Sequence, residues 1–225
     1  MTTPRWDPRR LNAVAADLPE GVTPPGTRGR ILVAALSLFA EYGFHGTSIR
    51  DIAAGIGINS ATLYGHYPSK EHILAALVLI GHEELHHRMQ QAVVDTDADP
   101  VAQVAALVRA QVLAHTDFPL LALVANQELH ALSPERAAPA LALREQSRDL
   151  ALRVLRRGVQ LQVFDVADIT LAAIAISSMG VRVANWFGPD QPYTRDQVAD
   201  AFADFALRLT GATLPARRRD PGEPR

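Results

Sequence analysis

The chain has 225 residues, 48% hydrophobic and 20% charged, which excludes a wholly disordered or collagen-like polypeptide and suits one large globular unit or two smaller ones. Its 22 Lys and Arg against 24 Asp and Glu leave a formal charge of −2, so any nucleic-acid site has to be local. The absence of cysteine excludes disulfides, thiol nucleophiles and Cys-ligated metal, and fits a reducing cytoplasm.

Residues 1–26 hold Pro4, Pro8, Pro19, Pro24 and Pro25 with no sustained hydrophobic period and read as a flexible N-terminal arm. The stretch 11–18 is too short for a secretory core and carries Asp17. Thr27 is placed to cap a first helix over 27–42, with Ile31, Ala35, Leu38, Phe39 and Tyr42 on one face and Gly43 as its stop. Ser48 with Asp51 three residues later is a capping-box pattern for a short helix ending near Gly55. Asn59 caps a third helix reaching about Tyr67, and Ser69 opens a long one to Val94, closed by Asp95, Asp97, Asp99 and Pro100. Further helices are predicted over 101–115, 119–131, 135–157, 169–187 and 195–209, with Asp168 and Thr194 at N-cap positions. The apolar run Ile169–Val181 is shorter than the about 20 residues of a membrane helix and meets Arg182, so it reads as a core helix. From Gly211 the chain reads as a disordered tail, 211–225, rich in Pro and carrying Arg217, Arg218 and Arg219. No strand-like alternation is sustained anywhere, which makes the fold all-α.

Charge is uneven over these pieces: residues 27–72 carry four basic and three acidic residues, whereas 73–210 carry eleven and sixteen. Within the first of them, a short helix, a turn at Gly57 and a second short helix braced by the first form a tri-helical helix-turn-helix pattern. Ser60, Ala61 and Thr62 are small or hydroxyl-bearing, which lets a helix N-terminus approach DNA and aim its amides at phosphate or base edges. Tyr64, His66 and Lys70 each carry a donor suited to phosphate oxygens.

The stretch GFHGTSIRDIA over 43–53, followed by GINSATLYGHYPSKE over 57–71, resembles the DNA-binding signature of TetR-family transcriptional regulators. The resemblance implies that Thr47 and Ser48 contact backbone phosphate, that Ser60, Ala61, Thr62 and Gly65 read bases, and that Tyr64, His66 and Lys70 clamp phosphates. It also implies that Leu63 and Tyr67 are core residues. Asn59, Tyr67 and Gly65 depart from the usual serine, phenylalanine and larger side chain, so base preference does not transfer.

The same resemblance implies a helix-turn-helix DNA-binding domain over 27–72 and a larger helical domain over 73–210 that binds a small effector and forms a homodimer through its last two helices. Leu171, Ile174, Ile176, Val198, Phe202, Phe205 and Leu209 supply apolar surface at helical spacing for such an interface. A two-fold dimer would read a palindromic operator in double-stranded DNA. Arg182 and Trp186 stand one turn apart on an apolar helix, where a buried guanidinium requires an anion; the alternative is an Arg paired with a carboxylate of another helix and a Trp in the core. The segments MGVRVANW over 179–186 and LLALVANQEL over 120–129, with Leu132, Ser133 and Pro134, are similar to a TetR subgroup that answers to acyl-CoA thioesters of lipid or sterol breakdown. In that subgroup the residues matching Arg182 and Trp186 lie at the ligand.

His82, Glu83 and His86 match the H-E-x-x-H pattern of zinc proteases, in which two imidazoles hold the metal and the Glu activates water. The pattern sits in the second half of the long helix with no clear third ligand, although His115 is available, and otherwise reads as a solvated histidine face. No glycine-rich phosphate loop or nucleophile elbow occurs. The reading is therefore a cytoplasmic, ligand-responsive DNA-binding repressor, with no catalytic site, cofactor, resident metal or membrane partner; a zinc hydrolase and an effector-free helical interaction protein are its alternatives.

Overall fold

The computed structural model describes residues 14–212, all helical apart from turns and connections. Among them run α1 (Thr27–Gly46), α2 (Ile49–Gly55), α3 (Ser60–His66), α4 (Lys70–Val94), α5 (Pro100–Asp117), α6 (Pro119–Gln127), α7 (Pro134–Gln160), α8 (Ile169–Val181) and α9 (Arg195–Leu209). Two short 3-10 turns, Leu129–Ala131 and Arg182–Asn185, follow α6 and α8.

The caps explain most boundaries. Ser48 and Asp51 close a reciprocal capping box on α2, as do Thr194 and Gln197 on α9. Asn59, Ser69, Asp99 and Asp168 accept backbone amides at the starts of α3, α4, α5 and α8. The first helix differs from expectation: Gly26 holds its N-cap at φ 68° and Thr27 is already inside, so Thr27 caps nothing. Gly43, at φ 73°, breaks the helical path as foreseen, but one more turn follows it to Gly46. The predicted helices over 119–131 and 169–187 both tighten into 3-10 turns at their C-terminal ends. Pro119 forbids the preceding residue a helical conformation, so Phe118 turns the chain and α6 leaves α5 at 101°.

Two apolar cores hold these elements. The first joins α1, α2, α3 and the N-terminal half of α4 through Ile31, Leu36, Phe39, Ile52, Leu63 and Leu74, with Leu120, Leu121 and Val124 of α6 packed on the same cluster. The second joins the end of α4 with α5, α7, α8 and α9 through Met89, Leu107, Val112, Leu155, Ile176 and Val198. The boundary expected at residue 72 therefore falls inside α4, and the first core runs past it into the effector module. Residues 14–26 also differ from the flexible arm expected: Val14, Ala16 and Leu18 pack on the first core and Pro19 is buried. The rest of that arm, with Arg5, Arg9 and Arg10, and residues 213–225 of the tail lie outside the described residues. No single described helix is long and apolar enough to cross a membrane.

Candidate DNA-binding face and effector cavity

Helix α3 is only seven residues long, and its attachment decides what it exposes. Leu63 is fully buried and Tyr67 nearly so, anchoring one side to the first core. Asn59 Oδ1 accepts the amide of Thr62 at 2.8 Å and its hydroxyl at 3.0 Å, fixing the first turn. Behind it, Arg30 of α1 donates to the carbonyl of Ile56 at 2.8 Å, tying α1 to the turn between α2 and α3. The opposite side presents Ala61, Thr62, Tyr64 and Gly65 to solvent, flanked by half-buried Ser60 and His66 and by exposed Ser48 of α2. Tyr64 leaves 52% of its surface in water, an arrangement the packing of this chain does not require. A Cβ at Gly65 would meet nothing within 4 Å, so the fold itself imposes no glycine there.

Two expected phosphate contacts are used differently. Thr47 is buried, and its hydroxyl donates to the carbonyls of Leu38 and Gly43 at 3.1 and 3.0 Å. Lys70 turns inward: its Nζ donates to the carbonyls of Phe44 and Thr47 at 2.5 and 2.6 Å and lies 4.2 Å from the Phe44 ring centre. The carbonyls at the end of a helix lack intrahelical partners, and both donors satisfy some of those left by the break at Gly43. Burial also pushes the Lys70 ammonium below its usual pKa. Both residues thus fasten the helix-turn-helix from inside, and neither is free for phosphate in this conformation.

A cavity of about 520 Å³ opens between α4, α5, α7 and α8, within the usual range for ligand sites. Leu85, Met89, Leu107, Val108, Leu155 and Ile176 make its apolar walls. Gln111 Nε2 donates to the carbonyl of Ser177 at 3.0 Å, linking α5 to α8 beside it. Arg144 and Arg148, both exposed, line its rim from α7, with Glu145 paired to Arg148. Sequence reasoning missed these two arginines because, at an i, i+4 spacing on a helix rich in charge, they look like a solvated face.

Arg182 and Trp186 stand outside the lining of this cavity. Arg182 lies exposed in the 3-10 turn after α8, and Trp186 is 36% exposed, stacked on Phe202 with ring centres 6.3 Å apart. Neither lines the cavity, because the tightening of the chain at Val181 carries the following residues past it. The histidines also differ from the solvated face expected. His82 and His86 are buried, with Nδ1 2.8 Å from the Val78 carbonyl oxygen and 2.9 Å from Ser147 Oγ respectively. Burial lowers the pKa of both. Among the described residues no group of three His, Cys, Asp or Glu side chains is arranged to hold a metal ion. Of the apolar residues expected at a dimer contact, Leu171, Ile174, Phe205 and Leu209 are exposed and Phe202 half-buried. Ile176 and Val198 instead belong to the second core.

Residues 31–77 match the tetR family of bacterial regulatory proteins, and residues 97–210 match the tetracyclin repressor-like C-terminal domain. The chain is a member of the TetR family. It is similar to the HTH-type transcriptional repressor KstR2 of Mycobacterium tuberculosis, with 29% identity over 83% of this chain and 92% of that one. A tetR-family regulatory protein from Rhodococcus shares 32% identity at a TM-score of 0.77, over 82% of this chain and 96% of that one. AibR, solved in complex with isovaleryl coenzyme A and operator DNA, shares 26% identity at a TM-score of 0.72, over 81% and 97%. As a TetR-family protein this chain is a DNA-binding transcriptional regulator.

Proposed function

We propose that this TetR-family regulator is a cytoplasmic homodimeric repressor, without catalytic activity, released from a two-fold symmetric operator when an acyl thioester occupies the cavity between α4, α5, α7 and α8. The observation that carries this reading is the apolar cavity of about 520 Å³ with arginines at its rim. An acyl or ring part fits apolar walls, whereas buried phosphates would cost far too much unless paired, so the nucleotide end stays at the surface. Arg144 and Arg148 are then its first partners. Arg182, next to the cavity-lining Val181, and Trp186 are proposed to meet the part of the thioester that projects beyond the cavity. The AibR complex with isovaleryl coenzyme A and operator DNA supports this class of effector.

On the DNA side, Ser60, Ala61, Thr62 and Gly65 are proposed to read bases and Ser48, Tyr64 and His66 to hold phosphates. Exposed Leu171, Ile174, Phe205 and Leu209 favour pairing of two chains through α8 and α9. The test is thermal unfolding of the full-length protein against CoA thioesters, their free acids, hydrophobic drugs and zinc, since a ligand of the native state raises the transition by mass action. A shift with thioesters that is reduced in an Arg144→Ala, Arg148→Ala double variant is expected. A shift with drugs alone, or with zinc alone, contradicts the thioester reading.

A further inference from the structure

His82 and His115 both line a small chamber beside the effector cavity. Their Nδ1 atoms lie 2.8 and 2.7 Å from the carbonyl oxygens of Val78 and Gln111, one turn earlier on α4 and α5. A carbonyl only accepts, so each Nδ1 carries the proton and each Nε2 of the neutral ring is an acceptor. Burial lowers the pKa of both rings; His82 adds a smaller like-charge effect on His115, and Arg144 does so on His82.

The Nε2 of His115 has no hydrogen-bond partner although the residue is only 2% exposed. His115 borders a chamber of about 30 Å³, room for one water molecule or one hydroxyl. His82, Leu85 and Asn126 line both this chamber and the main cavity, so the chamber adjoins the cavity. Glu84, the carboxylate at its edge, is paired with Arg88 at 2.6 Å.

We propose that the chamber is a subsite for a hydroxyl group of the effector, which donates its hydrogen bond to His115 Nε2. This inference rests on the reading of the larger cavity as the effector site, and it narrows the effector to an apolar body bearing a hydrogen-bond donor. An effector without the donor leaves a buried acceptor unpaired and binds about ten- to a hundredfold more weakly.

The test uses calorimetric titration of the full-length protein with matched pairs of straight-chain acyl-CoA and ω-hydroxyacyl-CoA over a series of chain lengths. Cyclohexanol against methylcyclohexane serves as a pair that owes nothing to the thioester. Wild type is compared with His115→Leu, which removes the acceptor, and His115→Gln, which keeps one. The expected result is a preference of tenfold or more for the hydroxylated member in wild type, lost in His115→Leu and retained in His115→Gln. Equal affinity within every pair in wild type overturns the proposal without recourse to a variant, since a water molecule then serves His115. Preference surviving in His115→Leu overturns it too. If no thioester binds, the acyl-thioester reading fails, and the neutral pair alone decides the subsite by the same preference and its loss.

Discussion

At Gly65 the protein leaves open space on the exposed side of a short helix, in a backbone conformation that any residue adopts. Glycine inside a helix is less stable than alanine by about 0.5–1 kcal/mol, a cost that nothing in the free protein offsets. Gly65→Ala is therefore expected to raise the unfolding midpoint while changing operator affinity or base preference; thermal unfolding and DNA titration of one variant check both halves. Lys70 argues the other way. With its ammonium on the carbonyls of Phe44 and Thr47, Lys70→Met is expected to cost about 1–3 kcal/mol of stability with no DNA present. An unchanged denaturant midpoint would return Lys70 to the phosphate. The sequence signature made residue type legible at these positions but not partner, because a donor beside the orphaned carbonyls of a broken helix is as well served there as by DNA. The inward turn of Thr47 and Lys70 depends on the break at Gly43, whose carbonyl accepts from Thr47, and on how closely α4 approaches it.

At the scale of elements, the junction between α4 and α7 is the clearest route from cavity to DNA. Glu71, in the first turn of α4, accepts the amide of Ser133 at 2.8 Å and pairs with Arg136 at 3.1 Å. These bonds hold the start of α7, whose later turns line the cavity, against the start of α4, whose cap follows α3 directly. The Ser133 amide foremost, then Arg136, lowers the Glu71 pKa, so the carboxylate is charged at neutral pH. Glu71→Gln is expected to leave effector binding in place while the factor by which effector weakens operator binding falls toward one; parallel titrations with and without effector measure it. The histidines set a pH dependence. Burial holds His82 and His115 below the ordinary value of 6.5, so the unfolded chain takes up protons first on acidification. Their contribution to stability is complete above pH 6.5 and is lost as pH falls through 6.5 toward the folded values. The unfolding midpoint should thus decline from pH 7.5 to about 5.5, and His115→Leu should flatten that decline. Helix starts were readable because a capping side chain sits within three residues of the amide it serves, as at Ser48, Asn59 and Thr194. The 3-10 endings after α6 and α8 were not, since they depend on packing beyond local sequence.

For the whole molecule, the formal charge of −2 conceals a basic balance in the DNA-binding segment and an acidic one in the effector module. Operator binding is thus expected to rest on local phosphate contacts and to weaken steeply with salt, with half-sites about 34–36 Å apart. The cavity was the least legible feature, because its lining is gathered from α4 through α8 and no local pattern marks it. Val14, Ala16 and Leu18 were equally hidden: a segment with no period still packs when a ready apolar surface lies beside it. The central claim is that occupancy of this cavity and operator binding weaken one another. It is tested most directly by measuring the affinity of the full-length protein for its operator with and without a saturating thioester, and thioester affinity with and without operator. The account predicts that each ligand weakens the other by the same factor, about 5- to 150-fold. A thioester that binds while leaving operator affinity unchanged would contradict it.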